Sequence, residues 1–487
     1  MTEPRAGAGT WFRGAECGGP GLAVLVSVAL AVGAASAETP EQRFAKALTF
    51  PTVSHESPAE FDARAFAAFL AWLEASYPHV RATLPHERVG AASLLYRWPG
   101  EDASLAPILL TAHLDVVPVP DPESWTHPPF AGTIADGFVW GRGALDDKAA
   151  VVATLEALER LAVEGFTPRR TLLVAFGHDE EVGGNAGAAV LTRLLAERGV
   201  RVWFSLDEGM AILEPGASSF AQLPLALIGV AEKGFLTVRL TAHAAGGHSS
   251  VPPPSTAIGR LARAVVRLED HPLAARTSGV VSDMLRAVAP HTHGIQRLVL
   301  TWPDLFGPLI RAQLEKDPSS DAMVRTTTAV TMIDGGVKAN VLPREASARV
   351  NFRLLPGDTS EAVVAHVREV IDDPEIEITV ETANEASPVA DPRSEAFALL
   401  AEVIAQGAPD AVAVPALVLG GTDSTHYARI SDNAFRFLPI RFDAKDLERI
   451  HGRDERISVE NYLGAIDFYE RLVRRAAGGD AVGAPPP

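Results

Sequence analysis

The 487-residue sequence has one cysteine, Cys17, and it precedes an apolar stretch near the N-terminus. A disulfide framework is therefore excluded, and removal of the N-terminal segment would leave no thiol for catalysis. Basic residues are scarce relative to acids: 43 Lys+Arg stand against 61 Asp+Glu, for a formal charge of −18. Nucleic-acid binding draws on clustered Lys and Arg, so the composition argues against a nucleic-acid partner. Long blocks of like charge are also missing, and the excess acid reads as a solvated surface. Beyond the N-terminal region no run is long and apolar enough to span a bilayer. What is present is bulk: 47% hydrophobic residues in a chain this long suffice for two domains with real cores.

Arg5 and Arg13 precede the apolar residues 21–34, and Ala35-Ser36-Ala37 fits a small-residue cleavage site. Residues 1–37 thus read as a signal peptide, with export to the periplasm or the medium after cleavage. The alternative is a retained membrane anchor, although a stretch of about 17 residues rich in Ala and Gly is short for a span. Residues 476–487 are small, Gly-rich and Pro-terminated, and are expected to be a disordered tail.

From Pro40 onward helices and strands alternate. Residues 57–77 read as a helix, with Phe61, Phe66, Phe69, Leu70 and Leu73 at helical spacing. Residues 108–117, 171–176 and 200–206 read as strands, with helices over 148–163 and 186–198 between them. This alternation predicts an α/β fold with a mostly parallel sheet covered on both faces. After Glu232-Lys233-Gly234 the pattern changes. Strands over 235–242, 326–333, 346–354 and 375–381, with helices over 255–268 and 361–371, predict an α+β unit with antiparallel strands. Helices over 394–404 and 459–474 return to the first style. The expected organisation is a catalytic domain in two parts, 38–233 and 387–475, interrupted by an inserted domain over 234–386. Residues 275–325 show weak periodicity, and no element is assigned there.

The chemistry gathers at predicted strand ends, where sites form in open α/β sheets. Glu180-Glu181 follows the apolar run 171–176. One carboxylate of such a pair can bind a metal while its neighbour stays free as general base and acid; an acidic helix start is the plainer reading. His113 and Asp115 sit two apart in a predicted strand and so share a face. His113 would bind metal through one ring nitrogen while Asp115 holds the other, directly or through the loop, and so fixes the tautomer. Asp146, in Asp146-Asp147-Lys148 after a glycine turn, suits a carboxylate bridging two metals about 3.5–4 Å apart, or a helix N-cap. Asp207 closes the strand over 200–206 and is a further ligand candidate. Two histidines compete for a second nitrogen ligand: His426 in a Gly-rich turn, and His451, which has acids close by that could hold its free ring nitrogen. In the inserted unit His248, Asn340 and Arg353 suit oxyanion stabilisation and carboxylate recognition, or loop capping and a surface strand.

Taken together the motifs resemble a known family. They are Thr111-Ala-His113-Leu-Asp115, Trp140-Gly-Arg-Gly-Ala-Leu-Asp146-Asp147-Lys148, Gly177-His-Asp-Glu-Glu181-Val-Gly, Asp207-Glu-Gly, Glu232-Lys-Gly234, Gly247-His-Ser-Ser250, Gly421-Thr-Asp-Ser and His451-Gly-Arg-Asp-Glu455. The set is similar to the aminoacylase/carboxypeptidase family of dinuclear zinc peptidases over about residues 45–475. The phrases at 178–182, 247–253 and 451–455 are similar to its carboxypeptidase S and N-fatty-acyl-amino-acid synthase/hydrolase branch. The resemblance implies two Zn²⁺ per chain, with Co²⁺ or Mn²⁺ as substitutes that oxygen-rich sites also accept. It implies that His113, Asp146 and Asp207 bind one ion, and Asp146, Glu181 and His451 the other. Glu180 would be the general base, with Asp115 supporting His113. A cis peptide is implied between Asp146 and Asp147. The inserted unit resembles the family's lid and dimerisation domain, where His248 would stabilise the oxyanion, often in a partner subunit's site, and Asn340 and Arg353 would grip the substrate carboxylate. A homodimer through this unit is expected on the same ground.

The implied reaction is hydrolysis of an amide beside a free carboxylate. The substrate is a short peptide losing its C-terminal residue or, as the alternative, an N-acyl amino acid losing its acyl group. A non-catalytic relative kept for binding or dimerisation is the competing class. The filled ligand positions and the retained base argue against it.

Overall fold

A computed structural model of the protein describes residues 38–216, 223–277 and 279–478. The proposed signal peptide lies outside the described residues, as does most of the expected tail. Among the described residues no helix is long and apolar enough to cross a membrane.

The centre of the fold is a ten-stranded sheet. Its middle is parallel: Leu172–Gly177 pairs with Ile108–His113, which pairs with Phe204–Asp207, which pairs with Ala434–Arg436. The antiparallel pair His86–Val89 and Ser93–Trp98 extends one side. On the other side Leu225–Glu232 runs parallel to Val412–Val418. The middle strands Ile108–His113 and Leu172–Gly177 are buried at every residue, as two-sided coverage requires. Helix Lys148–Val163 provides part of that cover. Its Ala149, Ala150, Ala153 and Ala157 let it seat closely against the sheet and against helix Val459–Ala477, so most of its circumference is buried.

A second, four-stranded sheet is entirely antiparallel, in the order Thr327–Gly335, Glu345–Leu354, Gly234–His243, Ile376–Asn384. Alternate residues of Gly234–His243 point to one face, where Leu236, Val238 and Leu240 join Val350, Phe352, Leu261 and Val363 in a core separate from that of the large sheet. Helices Ala257–Asp270 and Ser360–Ile371 close that face. The chain leaves and re-enters the large sheet at adjacent points. Ser387 donates its main-chain N–H to the Glu232 carbonyl at 3.1 Å, and Glu232 donates its own to Ser387 Oγ at 2.8 Å.

Several expected elements differ. The strand expected over 108–117 ends at His113. The helix expected over 57–77 is a short 3-10 turn, Pro58–Glu60, then helix Ala63–Ser76, because Asp62 caps the latter by accepting from the N–H groups of Arg64 and Ala65. The strand expected over 200–206 is Phe204–Asp207. Helix Val459–Ala477 runs into the expected tail; the Ala477 carbonyl accepts from the N–H groups of Arg169 and Arg170 at 2.7 and 3.0 Å. Residues 275–325 form four short helices, Val280–Val288, Gly294–Thr301, Gly307–Leu314 and Pro318–Val324. They pack around Leu225 and Val414 of the large sheet rather than on the four-stranded one. The range 234–386 therefore contains two packing units that cover different sheets.

Candidate metal centre

Three of the parallel strands end beside one another, and each delivers an acid or an imidazole. His113 is the last residue of Ile108–His113 and is 1% exposed. Glu180 and Glu181 lie in a turn just after Leu172–Gly177. Glu208 follows Phe204–Asp207. Asp146 comes from the loop before helix Lys148–Val163, and His451 from the loop after helix Ala444–Arg449.

Asp146 stands between the two histidines. Its Oδ1 is 2.8 Å from His113 Nε2, and its Oδ2 is 3.0 Å from His451 Nε2. His451 Nε2 is also 3.0 Å from Glu181 Oε2. Glu180 Oε2 is 3.9 Å from His113 Nε2. Three groups of donor atoms result: Asp146, Glu181 and His451; His113, Asp146 and Glu208; and His113, Glu180 and Glu181, the atoms in each lying within 4.8 Å of one another. Two share Asp146, so one carboxylate serves two adjacent nitrogen-and-oxygen donor sets. Glu181 Oε1 is buried without a hydrogen-bond partner among the described residues, which leaves it available to a ligand. This donor chemistry suits a divalent cation in each set.

Asp207 is not in these groups; Glu208 occupies the place expected for it. Neighbouring residues at a strand end face opposite ways. Asp207 turns toward the Thr111 hydroxyl, with Arg436 and Glu232 nearby, and burial holds its carboxyl above the usual range. Asp207-Glu208 offers two consecutive acids, so Glu208 was in view in the sequence, but the phase of the last turn was not. His426 also lies outside the groups, its Nε2 3.1 Å from the Gly183 carbonyl oxygen. His451 takes the position that the resemblance implied, with its backbone in the left-handed region at φ +58°.

Asp115 stands against the second ring nitrogen of His113 from the loop that follows the strand. The chain turns after His113, and His113 Nδ1 lies 3.1 Å from the main-chain oxygen of Asp115 and 3.4 Å from its Oδ1. The same carboxylate accepts the N–H groups of Glu180 and Glu181 at 3.2 and 3.1 Å and the Ser54 hydroxyl. Asp115 therefore positions both the imidazole and the Glu180-Glu181 turn. The far side of that turn needs glycine: Gly184 has φ +66°, and a Cβ there would come 2.0 Å from Asp423 Oδ1.

A second brace, not anticipated, is the buried pair Arg142 and Glu455. Arg142 Nη1 donates to Glu455 Oε2 at 2.5 Å. Glu455 also accepts the N–H groups of Gly143, Leu145 and Asp146 at 3.1, 2.7 and 3.1 Å. Arg142 Nη2 donates to the carbonyls of His451 and Gly452 at 3.1 and 3.0 Å. The sequence signals were Arg142 within the Trp140–Lys148 motif and Glu455 at the close of the His451 motif, with nothing to say that they meet. The Asp146–Asp147 peptide is cis.

The electrostatics separate the acids. Burial would raise Asp146, but its bonds to His113 and His451 outweigh that and hold it low. Those bonds, from Asp146 first and Glu181 next, push His451 up to about 10. Burial, with Asp423, Asp146 and Glu181 nearby, pushes Glu180 well above the ordinary carboxylate range. A cavity of about 360 Å³ opens beside these residues, and Leu145, Met210, Leu419, Leu438, Phe442 and Ile450 supply its apolar wall.

His248, Asn340 and Arg353 are elsewhere. His248 lies on an exposed two-stranded ribbon, Gly247–His248 paired with Val341–Leu342, and Asn340 immediately precedes the second strand. The Asn340 carbonyl accepts the Ser249 N–H at 3.2 Å, and His248 Nδ1 lies 2.7 Å from Ser250 Oγ. The Arg353 guanidinium sits over the Phe235 ring at 4.8 Å. Among the described residues no hydrogen bond or ion pair joins any of the three to the metal-ligand cluster.

Known proteins are similar to this chain in sequence and in fold. The chain is 41% identical over 441 residues to the probable carboxypeptidase S-like 2 of Dictyostelium discoideum, covering 89% of this chain and 84% of that one. It is 39% identical over 436 residues to the human N-fatty-acyl-amino acid synthase/hydrolase PM20D1, covering 88% and 86%. The M20 family metallo-carboxypeptidase Sso-CP2 of Sulfolobus solfataricus shares the fold with a TM-score of 0.66 at 17% identity, covering 90% of this chain and 99% of that one. The sequence pattern of peptidase family M20/M25/M40 extends over residues 109–475, which include His113, Asp146, Glu181, Glu208 and His451. This chain is a hydrolase belonging to that family, M20/M25/M40.

Proposed function

We propose that the protein hydrolyses an amide bond adjacent to a free carboxylate, using two divalent cations, with zinc as the expected metal. The observation that carries this reading is the division of the Asp146 carboxylate between His113 and His451. His113, Asp146 and Glu208 would hold one ion, and Asp146, Glu181 and His451 the other. Ions bound there supply a water acidified to about neutral pH and polarisation of the scissile carbonyl. Glu180 takes a proton from the attacking water and returns it to the amide nitrogen as the C–N bond breaks, leaving a carboxylic acid and a free amine. Its raised proton affinity suits both transfers. Asp115 keeps the His113 ring and the Glu180 backbone in register.

Residues 234–386 act as lid and dimerisation unit in this reading. The exposed His248 ribbon supports a role across a homodimer interface, with His248 donating to the oxyanion of the partner's substrate and Asn340 and Arg353 receiving its carboxylate. The decisive experiment is Glu180→Ala with bound metal measured beside turnover. Retained metal with abolished turnover supports the base role; near wild-type turnover refutes it.

A short peptide losing its C-terminal residue is one substrate class. The apolar wall of the cavity favours the second, an N-acyl amino acid with a hydrophobic acyl group. Cleavage of an N-acyl-phenylalanine but not of a dipeptide selects the second; the reverse selects the first.

A further inference from the structure

Two motifs of the sequence, Glu232-Lys233-Gly234 and Gly421-Thr422-Asp423-Ser424, supply nothing to the donor groups described above. The structure joins them. Glu232 and Val418 are the last residues of Leu225–Glu232 and Val412–Val418, and they stand opposite each other across that parallel pair. The loop after Val418 lines the reaction cavity with Leu419, Gly420, Gly421 and Thr422. Glu232 is buried behind this wall. Its Oε1 accepts the Thr422 hydroxyl at 2.6 Å, and its Oε2 accepts the Thr422 N–H at 3.2 Å. The Thr422 hydroxyl oxygen also accepts the Ser424 N–H at 3.2 Å, so it is engaged on the protein side.

Buried Arg436 balances the charge, its Nε donating to Glu232 Oε1 at 2.6 Å. A buried ion pair adds little stability that apolar side chains of the same volume would not supply. What the carboxylate adds here is two bonds to one residue of the cavity wall.

Glu232 also stands at the passage between the two sheets. Its main-chain N–H donates to Ser387 Oγ, and its carbonyl accepts the Ser387 N–H, where the chain returns. The Lys233 N–H donates to the Val418 carbonyl at 3.0 Å. Lys233 Nζ donates to the carbonyls of Ala322 and Arg325, each at 2.9 Å. At Gly234 a Cβ would come 2.6 Å from the Asn384 carbonyl oxygen and the Ala386 nitrogen, so the outgoing and returning segments touch. The cavity wall and the base of the four-stranded unit are therefore fastened to the side chain and the backbone of one residue.

We propose that Glu232 is a positioning residue for the hydrolysis proposed above, on which this inference rests. It holds the Gly420–Thr422 wall in register with the two crossings, so substrate affinity depends on a group the substrate never touches. Among the described residues no hydrogen bond or ion pair joins Glu232 to a metal ligand or to Glu180. The expected effect is thus on substrate binding, with the metal and the chemical step spared.

The test is steady-state kinetics of the full, metal-loaded chain, paired with amide hydrogen exchange over residues 418–424. Glu232→Gln keeps the size of the side chain but turns a donor toward Thr422. Thr422→Val keeps the shape of the wall and the ion pair, and removes only the hydroxyl. Ser387→Ala lies outside the cavity lining and the donor groups, and removes the acceptor of the Glu232 N–H. Glu232→Gln and Thr422→Val are each expected to raise KM roughly tenfold, with kcat lowered less than about threefold. The substrate is N-acyl-phenylalanine or a dipeptide, whichever the wild type cleaves, and both ions should be retained. Thr422→Ser, which keeps the hydroxyl, should recover most of the loss. Exchange at Thr422 and Ser424 should quicken in all but the serine variant, including Ser387→Ala, whose change is remote from the loop.

If Glu232→Gln fails to fold, Thr422→Val and Ser387→Ala decide the matter. Unchanged KM in Thr422→Val, or kcat falling together with loss of a metal ion, would overturn the proposal. Unchanged exchange over 420–424 in Ser387→Ala would also overturn it, leaving Glu232 a tie within the sheet alone. The exchange readout needs no turnover, so a wild type that cleaves neither substrate refutes the hydrolysis while exchange still decides the tie.

Discussion

Glu455 Oε1 accepts the main-chain N–H of Asp146 at 3.1 Å, although the two residues are 309 positions apart in the chain. With Arg142 it ties the loop that carries the central carboxylate to the loop that carries His451. Both partners of this ion pair are buried, so removing one leaves the other unpaired in a low-dielectric setting.

Glu455→Gln should therefore weaken metal binding by about 10–100-fold, the usual effect of losing a group that orients ligands. Chelator competition on the purified variant measures this directly. Wild-type metal affinity in the variant would show that the pair is only a structural tie.

Glu208 and Asp207 make opposite predictions. Glu208→Gln should lower bound metal from two ions per chain toward one, with turnover falling at least tenfold. Asp207→Asn should keep both ions, since Asp207 faces Thr111. Elemental analysis of the two variants decides between the two assignments.

The pH profile should report Glu180. Burial raises its pKa above the ordinary range, and the base must be ionised to accept a proton. Activity should thus fall as pH drops through a value above the usual glutamate pKa of about 4.3. An acid limb at or below that value would show that Glu180 is not the titrating base.

Lys233 offers a stability test away from the site. Burial, with Arg353 nearby, lowers its pKa to about 8, against about 10.4 in an unfolded chain. Between those values the unfolded chain binds more protons, so this group's contribution to stability rises as pH climbs from about 8 to about 10.4 and is lost as pH falls back. The gain is up to about 3 kcal/mol. Denaturant unfolding at pH 8 and pH 10 should show it in the wild type and not in Lys233→Met.

The local order of ligands was legible in the sequence because strand ends and glycine turns announce themselves through short-range pattern. The runs before His113 and Glu180 are mostly apolar, and both form fully buried strands. Helix 148–163 and the start of the helix at Val459 fall where helical periodicity put them. The segment 275–325 was illegible for a related reason. Its helices are only seven to nine residues long, and Gly294–Thr301 has no fully buried residue, so no apolar stripe runs far enough to read as a helix.

By itself, then, the sequence determined the chemistry available: which imidazoles and acids exist, in what order, and beside which elements. The tertiary structure alone decided which of them meet. Glu208 rather than Asp207 faces the site because the direction of a side chain at a strand end depends on the last backbone turn, which residue type does not encode. His451 rather than His426 reaches Asp146 because buried Arg142 and Glu455 hold their loops together across more than 300 residues. That contact is set by packing and desolvation, and spacing along the chain carries no trace of it.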